Sequence, residues 1–460
     1  MGPGHEGPRR PIPCDQRRFM TKETHVNNRW REAYKSRLVS AEEAVSHISK
    51  GDRVVVGHAS GSPEVLLKAL VEQRDRFENV EIVHMVAMGA TEYCLPGMEK
   101  HFVHNSLFAG ATSRKAIHDG RAYFTPSHFS QIPRLFTEGI LPVDVTLCML
   151  SVPDEHGYCS FGISVDYTKP AAESSRLVIA EVTPHMPRTL GDAFIHISDI
   201  DYIVECDSKP IVLKPPQISD IDRKIGENVA ELIKDGDCLQ LGIGAVPDSI
   251  LGFLRDKKDL GIHTEMFSDG VVDLVEAGVI TCARKNHNPG KMVATFFMGT
   301  EKLYRFVHNN PMVQMYPVNI TNNPAYIALN DNMVSINSTL QVDLTGQAAS
   351  ESIGHKQFSG TGGQADFVRG AAWSKGGRSI LAFHSTASGG KISRIVPHLD
   401  EGAIVTTTRT DIHYVVTEYG IADLRGLSVP QRARALINIA HPDFREDLER
   451  SFRNIYNRKA

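Results

Sequence analysis

Glu265 and the loop Gly242-Ile243-Gly244-Ala245-Val246 are the residues through which this sequence could do chemistry. A turn with two glycines ahead of a helix start leaves backbone N–H groups free. It also sets them at the positive end of the helix, an arrangement that attracts anions. The next apolar run, Gly261-Ile262-His263-Thr264, delivers one carboxylate, Glu265. A carboxylate positioned in this way can attack a carbonyl and form a covalent intermediate. Both features also have plainer readings. The loop can be only a tight strand-to-helix connection, and a single glutamate at a strand end is ordinarily solvated. Here Glu265 lies between Ile262 and Met266-Phe267, apolar neighbours that argue against full solvation.

Several named chemistries do not fit these residues. The loop lacks the third glycine of a dinucleotide-binding fingerprint, because Pro247 stands there, and no Gly-Lys-Ser/Thr follows it as in a phosphate-binding P-loop. His263-Thr264-Glu265 has the H-x-E spacing of zinc deaminases, but the later P-C-x-x-C they need is absent. H-E-x-x-H is absent too, and no metal is indicated. Two further stretches are dense in unusual residues. Phe358 to Phe367 holds Gly360, Gly362 and Gly363, which permit close backbone approach to a bulky ligand or simply a flexible loop. Thr406 to Gly426 crowds charged and aromatic side chains, either around a ligand or as a strand pair with internal Arg–Asp pairing.

The elements that must position these groups follow from the rest of the chain. Its 460 residues suit two or three domains, and 41% hydrophobic with 23% charged residues is an ordinary globular composition. Fifty basic against 54 acidic residues leave a net charge of −4, which disfavours a nucleic acid or an acidic membrane as partner. Seven scattered cysteines form no C-x-x-C and no even set, so reduced thiols in a cytoplasmic protein are expected. No apolar run reaches the roughly 18 residues of a membrane span. The first 19 residues lack an apolar core and are read as a disordered tail, or as an overextended start with Met20 as initiator.

From there the periodicities alternate. A helical region over 27–50 precedes a strand at 53–57, a small-residue loop at 58–62 and a Pro63-led helix over 65–72. The same order recurs after Ile233-Lys234-Asp235-Gly236-Asp237, which echoes Ile48-Ser49-Lys50-Gly51-Asp52. The repeat predicts two halves of similar architecture. Strands are expected at 80–86, 145–152, 177–182 and 202–204, then a linker at 210–217 and a helix over 222–233. Further strands are expected at 313–318, 333–344, 402–408 and 413–417, with helices over 430–439 and 444–453. Short β-branched runs between helices imply buried, largely parallel sheets.

Together the motifs around Gly242–Asp248, Gly261–Gly270, Gly362–Phe367 and Thr406–Gly426 resemble those of the acetyl-CoA hydrolase/transferase family, nearest its 4-hydroxybutyrate and butyrate CoA-transferase branch. The resemblance runs from about residue 35 to 440. It implies two similar open α/β domains of the CoA-transferase (NagB/RpiA-like) type with the site in the cleft between them. The expected division is a tail over 1–30, a first domain over 31–212, a second over 217–440 carrying the nucleophile, and a closing helix over 441–460. It implies Glu265 as nucleophile, with Gly242, Ile243, Gly244, Ala245, Val246 and Gly363 contacting coenzyme A. Lys291 and Lys391 are near candidates for the coenzyme phosphates and are left unassigned; where some relatives have Ala-Lys-Gly-Gly, this chain has Ala387-Ser388-Gly389-Gly390.

The implied activity is transfer of CoA from a short-chain acyl-CoA to a carboxylic acid of the acetate, butyrate or 4-hydroxybutyrate class. It would run through a glutamyl-CoA thioester with ping-pong kinetics, and Glu265 is expected to be ionised near neutral pH as an ordinary glutamate is. Hydrolysis of acyl-CoA on the same site and a non-catalytic sensor of CoA or a sugar phosphate are the alternatives, with Glu418 as the second-choice carboxylate. Coenzyme A is expected as substrate with no tightly bound cofactor, in a homodimer.

Overall fold

The computed structural model describes residues 29–456. The expected tail therefore lies outside the described residues up to residue 28.

The first half builds one sheet from seven strands. They are β1 (Arg53–Val56), β2 (Val80–Val83), β3 (Phe102–Ser106), β4 (Ala122–Phe124), β5 (Val145–Ser151), β6 (Leu177–Thr183) and β7 (Tyr202–Glu205), in the order β4-β3-β2-β1-β5-β6-β7. Every neighbouring pair is parallel. β5 and β6 are buried at all seven positions each, as continuous apolar strands covered on both faces must be. The second half builds a six-stranded sheet from β8 (Cys238–Gln240), β9 (Gly261–Ile262), β10 (Met333–Asn337), β11 (Arg378–Ala382), β12 (Tyr414–Thr417) and β13 (Gly420–Asp423). Its order is β9-β8-β10-β11-β12-β13, parallel except for the β12–β13 hairpin. The run β2-β1-β5-β6-β7 and the run β9-β8-β10-β11-β12 thus share one topology.

The repeated Gly-Asp lead-in has the same job in both halves. Asp52 accepts the Ser49 N–H at 2.8 Å and pairs at 3.0 Å with Arg176, the residue before β6. Asp237 accepts the Lys234 N–H at 2.7 Å and pairs with Arg378, the first residue of β11. β6 and β11 hold equivalent places in the two sheets, so the turn and its bridging arginine recur together. The two pairs differ in solvent access: Arg176 is 48% exposed, whereas Arg378 is 13% and Asp237 only 3% exposed. Arg378→Ala strands a buried carboxylate and is expected to cost about 3 kcal/mol in urea unfolding at pH 7. Arg176→Ala removes a half-exposed partner from Asp52, whose side chain is 11% exposed and keeps the Ser49 N–H, and is expected to cost less, about 1 kcal/mol. Equal losses would show that burial does not separate the two.

Other expectations needed correction. The helical region over 27–50 is two short helices, Trp30–Ser36 and Ala41–Val45, parted where Leu38 bridges to Ile203 and Ser40 caps the second. The run 333–344 is two strands, β10 and Gln341–Asp343. The chain turns between them because Asn337 bonds Gln240 and Ser335, and Thr339 donates to Ala349 O at 2.9 Å. No strand forms over 402–408. Gly402 turns at φ 77° and only Thr407 bridges, to Ala348, leaving Ile404 and Val405 exposed. The expected strand 313–318 is Val313–Met315, paired with Met292–Ala294 outside both large sheets. That ribbon joins the halves: Ser164 bridges to Phe296, Gly191 to Met315 and His263 to Val293. The largest buried cluster accordingly mixes first-half residues such as Leu150 and Val182 with second-half residues such as Leu239 and Phe297.

Candidate functional site

Glu265 sits just past the end of β9, where the two halves meet, and each residue of the segment leading to it has a local task. A Cβ at Gly261 would stand 2.6 Å from Lys285 Cγ, so glycine admits that buried side chain. Lys285 Nζ then donates to Ile262 O at 2.9 Å and Lys291 O at 2.7 Å. His263 Nε2 donates to Thr321 O at 2.8 Å, while Nδ1 lies 3.3 Å from Asn330 Nδ2. Burial, reinforced by the Lys285 charge, pushes the imidazole down to about 3, so it is neutral and acts as a tether. Thr264 Oγ1 accepts the Leu241 N–H at 3.3 Å and lies 2.8 Å from Met266 O, tying the Glu265 segment to the end of β8. The H-x-E spacing therefore serves hydrogen bonding within the protein. Among the described residues no group of three His, Cys, Asp or Glu side chains is arranged to hold a metal ion.

The tether explains what lies against the carboxylate. By fixing Thr321, His263 places the next residue, Asn322, whose Nδ2 donates to Glu265 Oε2 at 2.8 Å. The Gly363 backbone lies against the same carboxylate, and its N–H favours the ionised form. Gly363 allows that approach because a Cβ there would stand 1.9 Å from Glu265 Oε2. Asp366, near the start of helix Gln364–Trp373, and Asp166 of the first half add negative charge nearby. Asp166 is itself fully buried, with His58 Nδ1 at 3.1 Å.

Burial pushes the Glu265 carboxyl up to about 7; Asn322 and Gly363 oppose the shift, while Asp366 and Asp166 add to it. The residue keeps partial solvent access even though its carboxyl group is hemmed in by protein. The expectation of a fully ionised glutamate is thus overturned: near neutral pH about half of the molecules carry the charge. A raised acid is also the better nucleophile once it is ionised.

The loop 242–246 lies beside this group at the end of β8. Helix Ala245–Gly252 begins there, Gly244 adopts φ 119°, and no side chain caps the helix. The first-turn N–H groups of Ala245 and Val246 have no acceptor within the helix. A Cβ at Gly242 or Gly244 would meet nothing within 4 Å, so the loop faces open space, with Ile243 exposed. Two donor sets, the open loop and the Asn322–Gly363 pair, therefore flank one carboxylate.

The other candidates lie elsewhere. Glu418 accepts the Ser385 N–H at 2.9 Å and its hydroxyl at 2.6 Å. Lys291 Nζ donates to Pro311 O at 2.7 Å. Lys391 lies in the exposed turn between Thr386–Ala387 and Ile392–Ser393, where Ser388 has φ 53°. Gly360 and Gly362 pack on Phe108 of the first half, so these two glycines serve the contact between halves. The Thr406–Gly426 stretch forms the strand pair of its plainer reading, Tyr414–Thr417 with Gly420–Asp423, but its Arg–Asp pair is not internal: Asp411 is reached at 2.9 Å by Arg369 from helix Gln364–Trp373, while His413 lies 3.4 Å from Asp423. Cys14 lies outside the described residues; the other six cysteines are free, and five of them are buried. Sequence reasoning missed Asn322, Asp166 and Ser130, and gave Asp366 no role.

Comparison with known proteins decides the family. The acetyl-CoA hydrolase/transferase N-terminal domain matches residues 20–215, and the C-terminal domain of the same family matches residues 299–452. A 4-hydroxybutyrate coenzyme A transferase of Clostridium kluyveri is 60% identical over 92% of this chain and 99% of its own. The chain belongs to the acetyl-CoA hydrolase/transferase family. The succinyl-CoA:cyclohexane-1-carboxylate CoA transferase of Geobacter metallireducens is 45% identical over 92% of this chain and 96% of its own. The solved structure of a 4-hydroxybutyrate CoA-transferase from Porphyromonas gingivalis is 45% identical, with a TM-score of 0.81 over 93% of this chain and all of its own. The resemblance carried by the Gly261–Gly270 and Thr406–Gly426 motifs therefore holds for the chain as a whole. Among the described residues no helix is long and apolar enough to cross a membrane.

Proposed function

We propose that this protein transfers CoA from a short-chain acyl-CoA to a carboxylic acid, with Glu265 as the covalent carrier. The observation that carries the reading is the Glu265 carboxylate held by Asn322 Nδ2 at 2.8 Å against the Gly363 backbone, beside an uncapped glycine loop. One Glu265 oxygen attacks the thioester carbonyl, forming a mixed anhydride and expelling CoA thiolate. The thiolate attacks the Glu265 Cδ, giving a glutamyl-CoA thioester and releasing the first acid. An incoming carboxylate attacks that thioester, and the thiolate then takes the new acyl group and restores Glu265. Two carbonyls are attacked in turn, the acyl carbonyl and that of Glu265 itself. The Asn322–Gly363 pair, on Oε2, suits the oxyanion at Glu265, and the N–H groups of 242–246 suit the acyl oxyanion. Each such donor is worth about 3–4 kcal/mol in the transition state. In this reading no group beyond coenzyme A is bound tightly, and residues 31–212 and 217–440 act as the two lobes of a cytoplasmic homodimer.

The named relatives differ in their acids, so the acceptor is left as a short-chain carboxylic acid with acetate as probe. Incubation with butyryl-CoA and acetate should form acetyl-CoA, with little free CoA when acetate is withheld. Free CoA released at the same rate with or without acetate would make the protein a hydrolase and overturn the reading.

A further inference from the structure

The two halves repeat one topology, and their strand registers match them residue by residue. Val54 of β1 pairs with Val145, which pairs with Leu177. Leu239 of β8 pairs with Val334, which pairs with Arg378. Asp52 and Asp237, in the shared turn, lie two residues ahead of Val54 and Leu239. Glu181, four residues past Leu177, therefore stands where Ala382, four past Arg378, stands in the second half. The cores agree with this match. Val54, Val145 and Ile179 pack with Leu66 of the helix after the first turn, and Leu239, Val334 and Ile380 pack with Ile250 of the helix after the second. On the other flank Arg53 pairs with Glu81 and Cys238 with Gly261, so Met85 stands where Glu265 stands.

At both matched positions the chemistry is reversed. Where the second half has Glu265, the first has Met85, a buried thioether with no proton to lose. Helix Glu64–Glu72, which follows the first turn, has Pro63 as its N-cap and no side-chain cap from that residue. Glu181 supplies one from β6. Its Oε1 accepts the Val65 N–H and, at 3.3 Å, the Leu66 N–H. These are the second and third N–H groups of the helix, the ones an ordinary N-cap side chain serves. Glu181 is fully buried, and burial raises its carboxyl to about 7 while these two N–H groups oppose the shift. In the second half Ala382 offers no carboxylate, and helix Ala245–Gly252 starts uncapped beside open space. We propose that Glu181 is a built-in ligand: it fills in the first half the anion site that the second half leaves open, and a small free carboxylate takes its place when it is removed. The inference rests on the duplication and not on Glu265 being the nucleophile. It accounts for two like halves of which the first is closed to an outside anion.

Glu181→Ala takes away Cγ and the carboxylate, the same heavy atoms that acetate carries. In the full-length protein this variant should lose about 5 °C of Tm, because two buried N–H groups are left without their acceptor. Acetate should then raise its Tm, and chloride at the same concentration should not. The wild-type protein, in which acetate reaches only the second half, is the baseline. At ten times the dissociation constant the acetate shift should be about 3 °C larger in Glu181→Ala than in wild type. Glu181→Gln keeps an oxygen for Val65 and Leu66 and fills the space, so its acetate shift should equal that of wild type. An acetate shift no larger in Glu181→Ala than in wild type overturns the proposal. So does an extra shift of the same size in Glu181→Gln. If Glu181→Ala does not fold in plain buffer, folded protein recovered by refolding with acetate is the supporting result, and recovery no better than with chloride is the overturning one. The shifts are read without turnover. A failed transferase assay therefore leaves them intact, and equal shifts leave the transferase reading intact.

Discussion

Glu265→Gln removes acyl transfer and makes the folded protein more stable at alkaline pH. The amide keeps the size of the side chain, and its oxygen can still accept from Asn322 Nδ2. What it cannot do is form the anhydride, so kcat should fall by about 10⁴-fold or more, as for other covalent nucleophiles. The stability effect follows from burial. The Glu265 carboxyl is raised from an ordinary 4.5 to about 7, so the folded chain holds this proton more tightly than the unfolded chain does. The stability this group contributes is full below about 4.5 and is lost as pH rises through about 7. A shift of that size corresponds to at most about 3 kcal/mol, and the partial solvent access of the residue reduces it to about 1–2 kcal/mol. Glutamine carries no such loss. Thermal unfolding should therefore find Glu265→Gln more stable than wild type at pH 8 and about equal at pH 5. An equal difference at both pH values would mean that ionisation of Glu265 is not the cause. Wild-type turnover by the variant would remove Glu265 from the chemistry altogether.

How much of this could be read from the chain depends on distance along it. Val145–Ser151 and Leu177–Thr183 are legible because a strand buried on both faces must be apolar throughout. β3 is hidden because three of its five residues are polar (His104-Asn105-Ser106) although they are buried. β11 is hidden because it opens on Arg378, whose partner Asp237 lies 141 residues away. The strand expected at 402–408 rested on an apolar pattern whose one β-bridge is Thr407 to Ala348, while Ile404 N–H and Thr406 are held by the side chains of Ser352 and Glu351. At the site, Glu265 and the loop ahead of it are legible because strand, turn and helix start are local. Asn322 is not, since Thr321-Asn322-Asn323-Pro324 reads as a turn and its contact with Glu265 spans 57 residues. Ser130 and Asp366 are 236 residues apart and have no local signature at all. Gly363 is the intermediate case. Its glycine type announces a close approach, yet only the fold shows that the approaching group is the nucleophile.

That close approach makes Gly363→Ala the sharpest test of the donor arrangement. Gly363 has φ −92° and ψ 0°, a backbone conformation that alanine adopts without strain. The added methyl is therefore the whole perturbation. It would stand 1.9 Å from Glu265 Oε2 and 2.4 Å from Asn322 Nδ2, where Cβ contacts under 3.0 Å essentially do not occur. The carboxylate must retreat by about 1 Å, losing the Gly363 N–H and straining the Asn322 bond. Displacement of this size, together with loss of one oxyanion donor, should lower kcat by about 10²- to 10³-fold. Gly244→Ala is the useful contrast. Its φ of 119° strains any side chain, but nothing lies within 4 Å of the new methyl, so the damage there is to the loop and not to Glu265. Borohydride trapping reads the difference directly. Gly363→Ala should load Glu265 slowly while remaining folded by circular dichroism, and a wild-type loading rate in that variant would show that the Gly363 N–H contributes nothing to the reaction.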